Sequence, residues 1–575
     1  MHQLSLLSFL PLAAAAAAAL FAHDVSSVSV KHERRHPVVP DSIDKAEFPS
    51  LLDATLEDLA GGLETGLFRS VDLVEAYIAR ILEVNDASRA VREINPDARA
   101  IAEEMDAART MGTVYGPLHG IPILVKDNIA TADKMETTAG SYALVGARVP
   151  EDSTVVRNLR KAGAIILGKA SMSEWAGLRS WNSSTTGWSP TGGQGIGAYL
   201  DDQSPSGSSS GSGVATSIGL AFASLGTETS GSIISPASYN NIVGIKPTLG
   251  LTSRHLVVPF SSHQDSVGPM ARTVKDAAYV LAAIAGPDPK DNYTTAIPFP
   301  TLPDYVAACQ LSALPGKRIG VLRSTFNSSL GQPPYQSILS TFNSALDTLR
   351  AAGATIIDDI SLPSTAETGV PWPNDIDITS IDFVRDLPTY LSQLTHNPHN
   401  ITAVADLLAF TQRDPREDWP NRDTVKWEMA LASAANTTPE EFWKAYTQSL
   451  YLAGPMGISG AIRNHSLDAL VAPTITTHFL PAAWGSPVVT VPLGAMDADT
   501  EVTRERGDGL VVTAPGMPFG MAFLGERWSE EGLIGMAYAF EQRTMVRRGL
   551  VPRVRPRVEL GDVLGRRERV ELPLH

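Results

Sequence analysis

The chain has 575 residues, enough for one large α/β domain or several smaller ones, so length alone leaves the domain count open. Its 46 Lys+Arg stand against 62 Asp+Glu, a formal net charge of -16, which argues against nucleic acid or an anionic membrane surface as the main partner and for a soluble acidic protein. With the single cysteine Cys309, no intrachain disulfide, thiolate zinc site or iron–sulfur cluster can be built; its neighbours read as a helix face on which it packs.

In chain order, the apolar run from Leu4 through the alanines to Ala22 reads as a secretory signal over residues 1–22, with a weak n-region. The run is also just long enough for an uncleaved anchor, and both readings stay open. No later segment has eighteen or so uninterrupted apolar residues, which excludes a multi-span membrane protein. An extension over 23–47 carries Arg34-Arg35, either a processing site or solvated charge. Six Asn-x-Ser/Thr sequons, at Asn182, Asn292, Asn327, Asn400, Asn436 and Asn464, fit a glycosylating secretory pathway. The expected location is extracellular, with N-glycosylation in a eukaryote.

A domain is expected over 48–550. Residues 51–63 read as a helix, and Ser70 as the N-cap of a second, on which Val71, Val74, Tyr77, Ile78 and Ile81 share a face. A third helix is predicted over 98–111. Gly116-Pro117-Leu118-His119-Gly120 is turn chemistry, and the apolar run 121–125 after it reads as a buried strand that delivers Lys126. An ammonium at the end of a buried strand must be paired or lose its proton; equally, Lys126 could pair with Asp127 at the surface. Residues 154–162 are helical and 164–169 strand-like. The spacing from Gly163 to Lys169 imitates a phosphate-binding loop, but Ala170 replaces the required hydroxyl residue, so nucleotide binding is discarded.

The Gly/Ser/Thr-rich stretch 181–203, with Trp181, Trp188 and Tyr199, reads as a loop walling a pocket. Residues 204–250 crowd glycines and serines into two loops, separated by an apolar run over 214–222 that reads as a buried helix and followed by a strand over 242–245. A linker would not be interrupted in this way. Further helices are predicted over 277–285, 337–352 and 530–543, and strands over 318–322, 470–473, 488–492 and 521–524. Residues 376–443 read as mainly helical, part of a lid or substrate wall over 372–450. The tail 551–575 is expected on the surface. The alternation of helices and short apolar strands gives an α/β fold, a mixed central β-sheet covered by helices on both faces.

Gly207-Ser208-Ser209-Ser210-Gly211 satisfies G-x-S-x-G, but turn-like residues precede it where an α/β-hydrolase needs a strand. The second loop, GTETSGSI at 226–233, leaves an apolar segment and turns tightly around Ser232, and backbone N–H groups at such a turn can hold an oxyanion.

These residues carry a resemblance to the amidase signature family of Ser-Ser-Lys hydrolases, through GPLHGIPILVKDN at 116–128, SPSGSSSGSG at 204–213 and GTETSGSIISPASYNNIVGIKPT at 226–248. The motifs occur in the family's order, with Ser208 and Ser232 at the separation of its two serines. Within the family the chain is most similar to peptide amidases, in Ser173-Glu174-Trp175, Gly187-Trp188-Ser189, Gly192-Gly193-Gln194 and the GTET variant with Glu228. The resemblance implies the amidase-signature fold, a catalytic core about 116–280, and no cofactor or metal. It implies Lys126 as base, Ser208 as a bridging serine on a cis peptide and Ser232 as acylated nucleophile, with Thr229, Ser230, Gly231 and Ser232 offering oxyanion N–H groups. The physical need agrees: a serine hydroxyl needs a base, and a lysine is one near neutrality only when burial lowers its pKa from about 10.4.

The sequence departs from the family in having Ser230 where glycine or aspartate is common and Ile234 where arginine often stands, removing a charge partner for Glu228. The implied activity is hydrolysis of carboxamide C–N bonds, of the C-terminal amide of peptides in one reading and of fatty acyl or aryl amides in another. A non-catalytic, amidotransferase-like subunit is the alternative from a different class, against which stands the complete set of Lys126, Ser208 and Ser232. The partner expected is a small-molecule or peptide amide, with no nucleic acid and no stable membrane association; the sequence leaves the oligomeric state open. His396 and His399 read as loop surface rather than metal ligands, and Trp372, Trp419, Trp427 and Trp443 as packing residues.

Overall fold

The computed structural model describes residues 48–571 apart from 181–182, 327–329, 359, 363–375 and 506–508, and the described residues fall in one compact unit. The signal, the extension with Arg34-Arg35, Trp181, Trp372 and the sequons at Asn182 and Asn327 lie outside them.

Eleven strands form one sheet: β1 Val91–Ile94, β2 Pro122–Lys126, β3 Ile165–Ala170, β4 Ala223–Glu228, β5 Val243–Lys246, β6 Ser266–Ala271, β7 Arg318–Val321, β8 Thr355–Ile357, β9 Ala469–Pro473, β10 Val488–Ala495 and β11 Pro518–Leu524. Their order is β1-β3-β2-β4-β6-β5-β10-β11-β9-β7-β8. The trio β3-β2-β4 is parallel, as is β9-β7-β8, while the strands between them pair antiparallel, so the sheet is mixed. Every residue of β2, β3, β4, β5, β6, β9 and β11 is buried. An unbroken run of buried residues, rather than an alternating one, means that both faces are covered.

Most predicted elements form close to their expected bounds, and the exceptions have local causes. Helix α1, Leu56–Thr65, starts later than expected because Thr55 and Asp58 form a capping box around its first turn. Ser70 is not a cap but the first residue of α2, Ser70–Ser88; its N–H and that of Val71 donate to the Asp106 carboxylate on α3, Ala98–Thr110, at 2.7 and 3.0 Å. After α4, Thr154–Lys161, the expected helix over 214–222 is displaced: α5 runs Ser210–Ser217, and the apolar residues after it turn into β4. Its serines serve as core residues. Ser212 Oγ donates to the Leu225 carbonyl at 3.0 Å, and a Cβ on Gly211 would stand 2.2 Å from the Ala90 carbonyl oxygen, so small residues let this helix lie against the sheet.

Cys309 is buried as expected, just after a turn rather than on a helix. The tail does not simply lie on the surface. It ends in a helix, Leu560–Glu571, whose Leu560 is fully buried in the main core, while Arg80 on α2 donates to the Val558 carbonyl and pairs with Glu559 at 3.1 Å. The helices Ile378–Leu391, Val404–Arg413 and Val425–Asn436 enclose a second apolar cluster with Trp175, Leu178 and Trp427, so this region is helical as expected. Trp427 is fully buried, whereas Trp419 and Trp443 are exposed. His396 is exposed, and among the described residues no group of three His, Cys, Asp or Glu side chains is placed to hold a metal ion. No helix among them is long and apolar enough to cross a membrane.

Candidate active site

Successive strand side chains point to opposite faces, so β2 sends Lys126 and the following Asp127 to different surroundings. Asp127 is buried, paired with Arg92 Nε at 2.9 Å and accepting the Gly140 N–H at 3.1 Å. The surface pair with Lys126 therefore does not form. Lys126 is fully buried; its Nζ donates to Ser208 Oγ at 2.8 Å, Thr227 Oγ1 at 2.8 Å and the Thr227 carbonyl at 3.1 Å. Burial lowers its pKa to about 7, against the opposing pull of Asp265 and Glu228.

Ser208 follows a cis Gly207-Ser208 peptide, as the resemblance implies, and its carbonyl accepts the Ser173 N–H at 3.1 Å. Ser209, the serine of the G-x-S-x-G pattern, is fully buried. Its Oγ donates to the Thr227 carbonyl at 3.1 Å and its N–H to the Ser232 carbonyl at 3.2 Å, so it ties the two loops together instead of facing a substrate.

Glu228, at the end of β4, is the template of the second loop. Its carboxylate accepts the N–H groups of Gly231, Ile233 and Ile234 at 2.9, 2.7 and 3.0 Å. Backbone donors thus take the place of the missing arginine. The turn requires Gly231, which has φ of 84°, and a Cβ there would stand 3.0 Å from His478 Cβ. Of the expected oxyanion donors, the Gly231 N–H is directed at Glu228, while those of Thr229, Ser230 and Ser232 are not engaged by that carboxylate. Ser230 turns its hydroxyl to the His478 carbonyl at 3.4 Å. Thr229 Oγ1 donates to Asp265 Oδ1 at 2.6 Å.

Ser208 and half-buried Ser232 line one cleft of about 390 Å³ together with Glu174, Arg179, Thr186, Trp188 and Glu505. Trp188 fulfils its expected place in the wall; Tyr199 is instead buried against Ser217 at 3.1 Å. Arg179 lies between Glu174 at 2.7 Å and Glu417 at 3.2 Å, all three buried. Burial, and then the Glu417 charge, raises the Glu174 carboxyl well above the usual range. Asp265 and Glu417 are site-building residues that sequence reasoning missed, with no local pattern to single them out; Thr227 lies within the GTET motif, but the motif does not reveal its contact with Lys126.

Fold and relatives define the chain as an amidase, a hydrolase acting on amide bonds. It belongs to the Amidase family, whose model matches residues 72–534. An Arthroderma benhamiae protein named "Putative amidase" is 50% identical over 540 residues, covering 90% of each chain. The native peptide amidase from Stenotrophomonas maltophilia superposes with a TM-score of 0.76 at 38% identity, over 87% of this chain and 99% of that one. A glutamyl-tRNA(Gln) amidotransferase subunit from Salinispora arenicola is 39% identical, but over 54% of this chain and 62% of its own length.

Proposed function

We propose that this amidase works through Lys126 as base, Ser208 as proton relay and Ser232 as acylated nucleophile, on the C-terminal carboxamide of peptides. The observation that carries the reading is the buried Lys126 amine, 2.8 Å from the Oγ of Ser208, a residue that lines the same cleft as Ser232. Ser232 attacks the amide carbonyl while its proton passes through the Ser208 hydroxyl, which both donates and accepts, to Lys126. The oxyanion is received by the N–H groups of Thr229, Ser230 and Ser232, each such donor being worth about 100- to 1000-fold in rate. Ser208 returns the proton to departing ammonia, and water then hydrolyses the acyl-enzyme.

The peptide carboxamide is supported by the likeness to the Stenotrophomonas peptide amidase along nearly its whole length. Export and N-glycosylation belong to the same proposal, supported by the apolar run over residues 4–22 and by the exposure of Asn292, Asn400, Asn436 and Asn464.

The test is ammonia or amine release from a panel of peptide amides, fatty acyl amides and aryl amides, with Ser232→Ala alongside. Release from the peptide amides that disappears in Ser232→Ala is expected. Activity confined to fatty acyl or aryl amides would remove the peptide substrate, and full turnover by Ser232→Ala would remove the nucleophile.

A further inference from the structure

Asp265 directly precedes β6 and belongs to none of the three family motifs. Strand β6 pairs with β4 so that Ser266 stands opposite Glu228, and the sheet register therefore holds Asp265 at the edge of the nucleophile loop. Its Oδ1 accepts the Thr229 hydroxyl at 2.6 Å, and its Oδ2 accepts the main-chain N–H groups of Phe260 and Ser261 at 2.7 and 3.0 Å. Three donors from two segments leave this carboxylate little freedom, and Thr229 inherits that restraint.

We infer that Asp265 is a positioning residue for amide hydrolysis: through the Thr229 hydroxyl it fixes the loop that carries Ser232, and its negative charge acts on the buried Lys126 amine. The inference rests on the Ser-Ser-Lys reading.

The charges around both groups make the second half specific. Lys126 responds to two anions, Asp265 first and Glu228 second. Facing Asp265 is Arg254, whose guanidinium is paired with Asp291 at 2.9 Å. Across an adjoining cavity of about 220 Å³, His255 and Lys290 are both held by Glu151, and Asp386 accepts the Ser262 N–H at 2.7 Å. Asp265 is thus held by hydroxyl and main-chain donors, while the nearby cations have carboxylates of their own. Burial raises the Asp265 carboxyl to about 6 against the pull of those donors and then of Arg254, and above that pH its charge acts on both Arg254 and Lys126.

Two variants separate the two roles, read as kcat and kcat/KM against pH with a peptide amide. Asp265→Asn keeps size and one acceptor oxygen but removes the charge. Lys126 then loses an anion that favours its protonated form, so the acidic limb of kcat/KM moves to lower pH, and the plateau kcat falls by about 10- to 100-fold as the loop loosens. Thr229→Val keeps the charge and cuts the tether, so kcat falls by a similar factor while the acidic limb stays in place. An Asp265→Asn limb that superimposes on the wild type, or a Thr229→Val kcat equal to wild type, overturns the inference. Should Asp265→Asn fail to fold by far-UV circular dichroism, Thr229→Val decides alone. Ser232→Ala, run in the same series, reports separately on the Ser-Ser-Lys reading, which falls only if that variant turns over.

Discussion

Lys126 Nζ lies 2.8 Å from Thr227 Oγ1 and 3.1 Å from the Thr227 carbonyl oxygen, and the second of these atoms can only accept. An uncharged lysine amine has two N–H groups and one lone pair. With both N–H groups directed at Thr227, the lone pair is left for the Ser208 hydroxyl at 2.8 Å, the orientation that a base needs. Asn128 Nδ2 donates to the same Thr227 hydroxyl at 3.0 Å and fixes it in turn.

The pH dependence follows with a definite sign. Burial gives Lys126 a pKa of about 7, and in the proposed role it works only when unprotonated, so kcat/KM should rise with pH through about 7 and level off above it. Lys126→Arg holds a permanent charge and should lose about 100- to 10,000-fold in kcat across the range. A kcat/KM profile flat from pH 5 to 9 would count against Lys126 as base.

How much of this is legible in the sequence depends on where each partner lies in the chain. The α/β alternation is spelled out by local runs, and the apolar strand before Lys126 draws attention to it, but its burial rather than a surface pair with Asp127 is settled only by the folded chain. Thr227 meets Lys126 across 101 residues, and Glu417 meets Arg179 across 238, so neither pairing leaves a local trace. The bounds of α5 escape a local reading for a related reason. Its serines look like loop residues until the sheet supplies carbonyls for their hydroxyls, as Leu225 does for Ser212.

Ser209 offers a sharp contrast with Ser232. If it serves as a strut between the two loops, Ser209→Ala should still be acylated by a serine-directed fluorophosphonate, whereas Ser232→Ala should not. The cost of Ser209→Ala should appear in urea unfolding, at about 1–3 kcal/mol, since the buried Thr227 main chain loses a partner on each side. Loss of labelling in a folded Ser209→Ala would reverse the two roles.

Glu228 should matter more than its distance from the reacting atoms suggests. Glu228→Gln retains one acceptor oxygen where the carboxylate uses two, so at least one of the N–H groups of Gly231, Ile233 and Ile234 meets an amide NH2 instead. Hydrogen bonds to a charged group are worth about 1.5–3 kcal/mol each, and a loss of that order in unfolding free energy is expected. Because the same N–H groups shape the loop around Ser232, kcat should fall with little change in KM. A variant with wild-type stability and kcat would show that the loop holds its form without this template.

The last prediction concerns the end of the chain, where a proline- and charge-rich tail proves to be part of the core. Leu560 is fully buried and packs in the same cluster as the α2 residues Tyr77 and Ile81, while Val558 and Glu559 receive the buried Arg80 guanidinium. Leu560→Ala should therefore cost about 2–5 kcal/mol, the range for a truncated core leucine, and lower the thermal midpoint accordingly. A chain ending at residue 550 should lose more, since Arg80 would keep its carbonyl partners at Ile218 and Gly219 but lose the only carboxylate with which it forms an ion pair among the described residues. Since Ile218 and Gly219 close the helix that begins just after Ser208, the loss should reach the cleft as a lower kcat before the protein unfolds. Thermal melts and initial rates on both proteins measure this, and a wild-type midpoint for the shortened chain would return the tail to the surface.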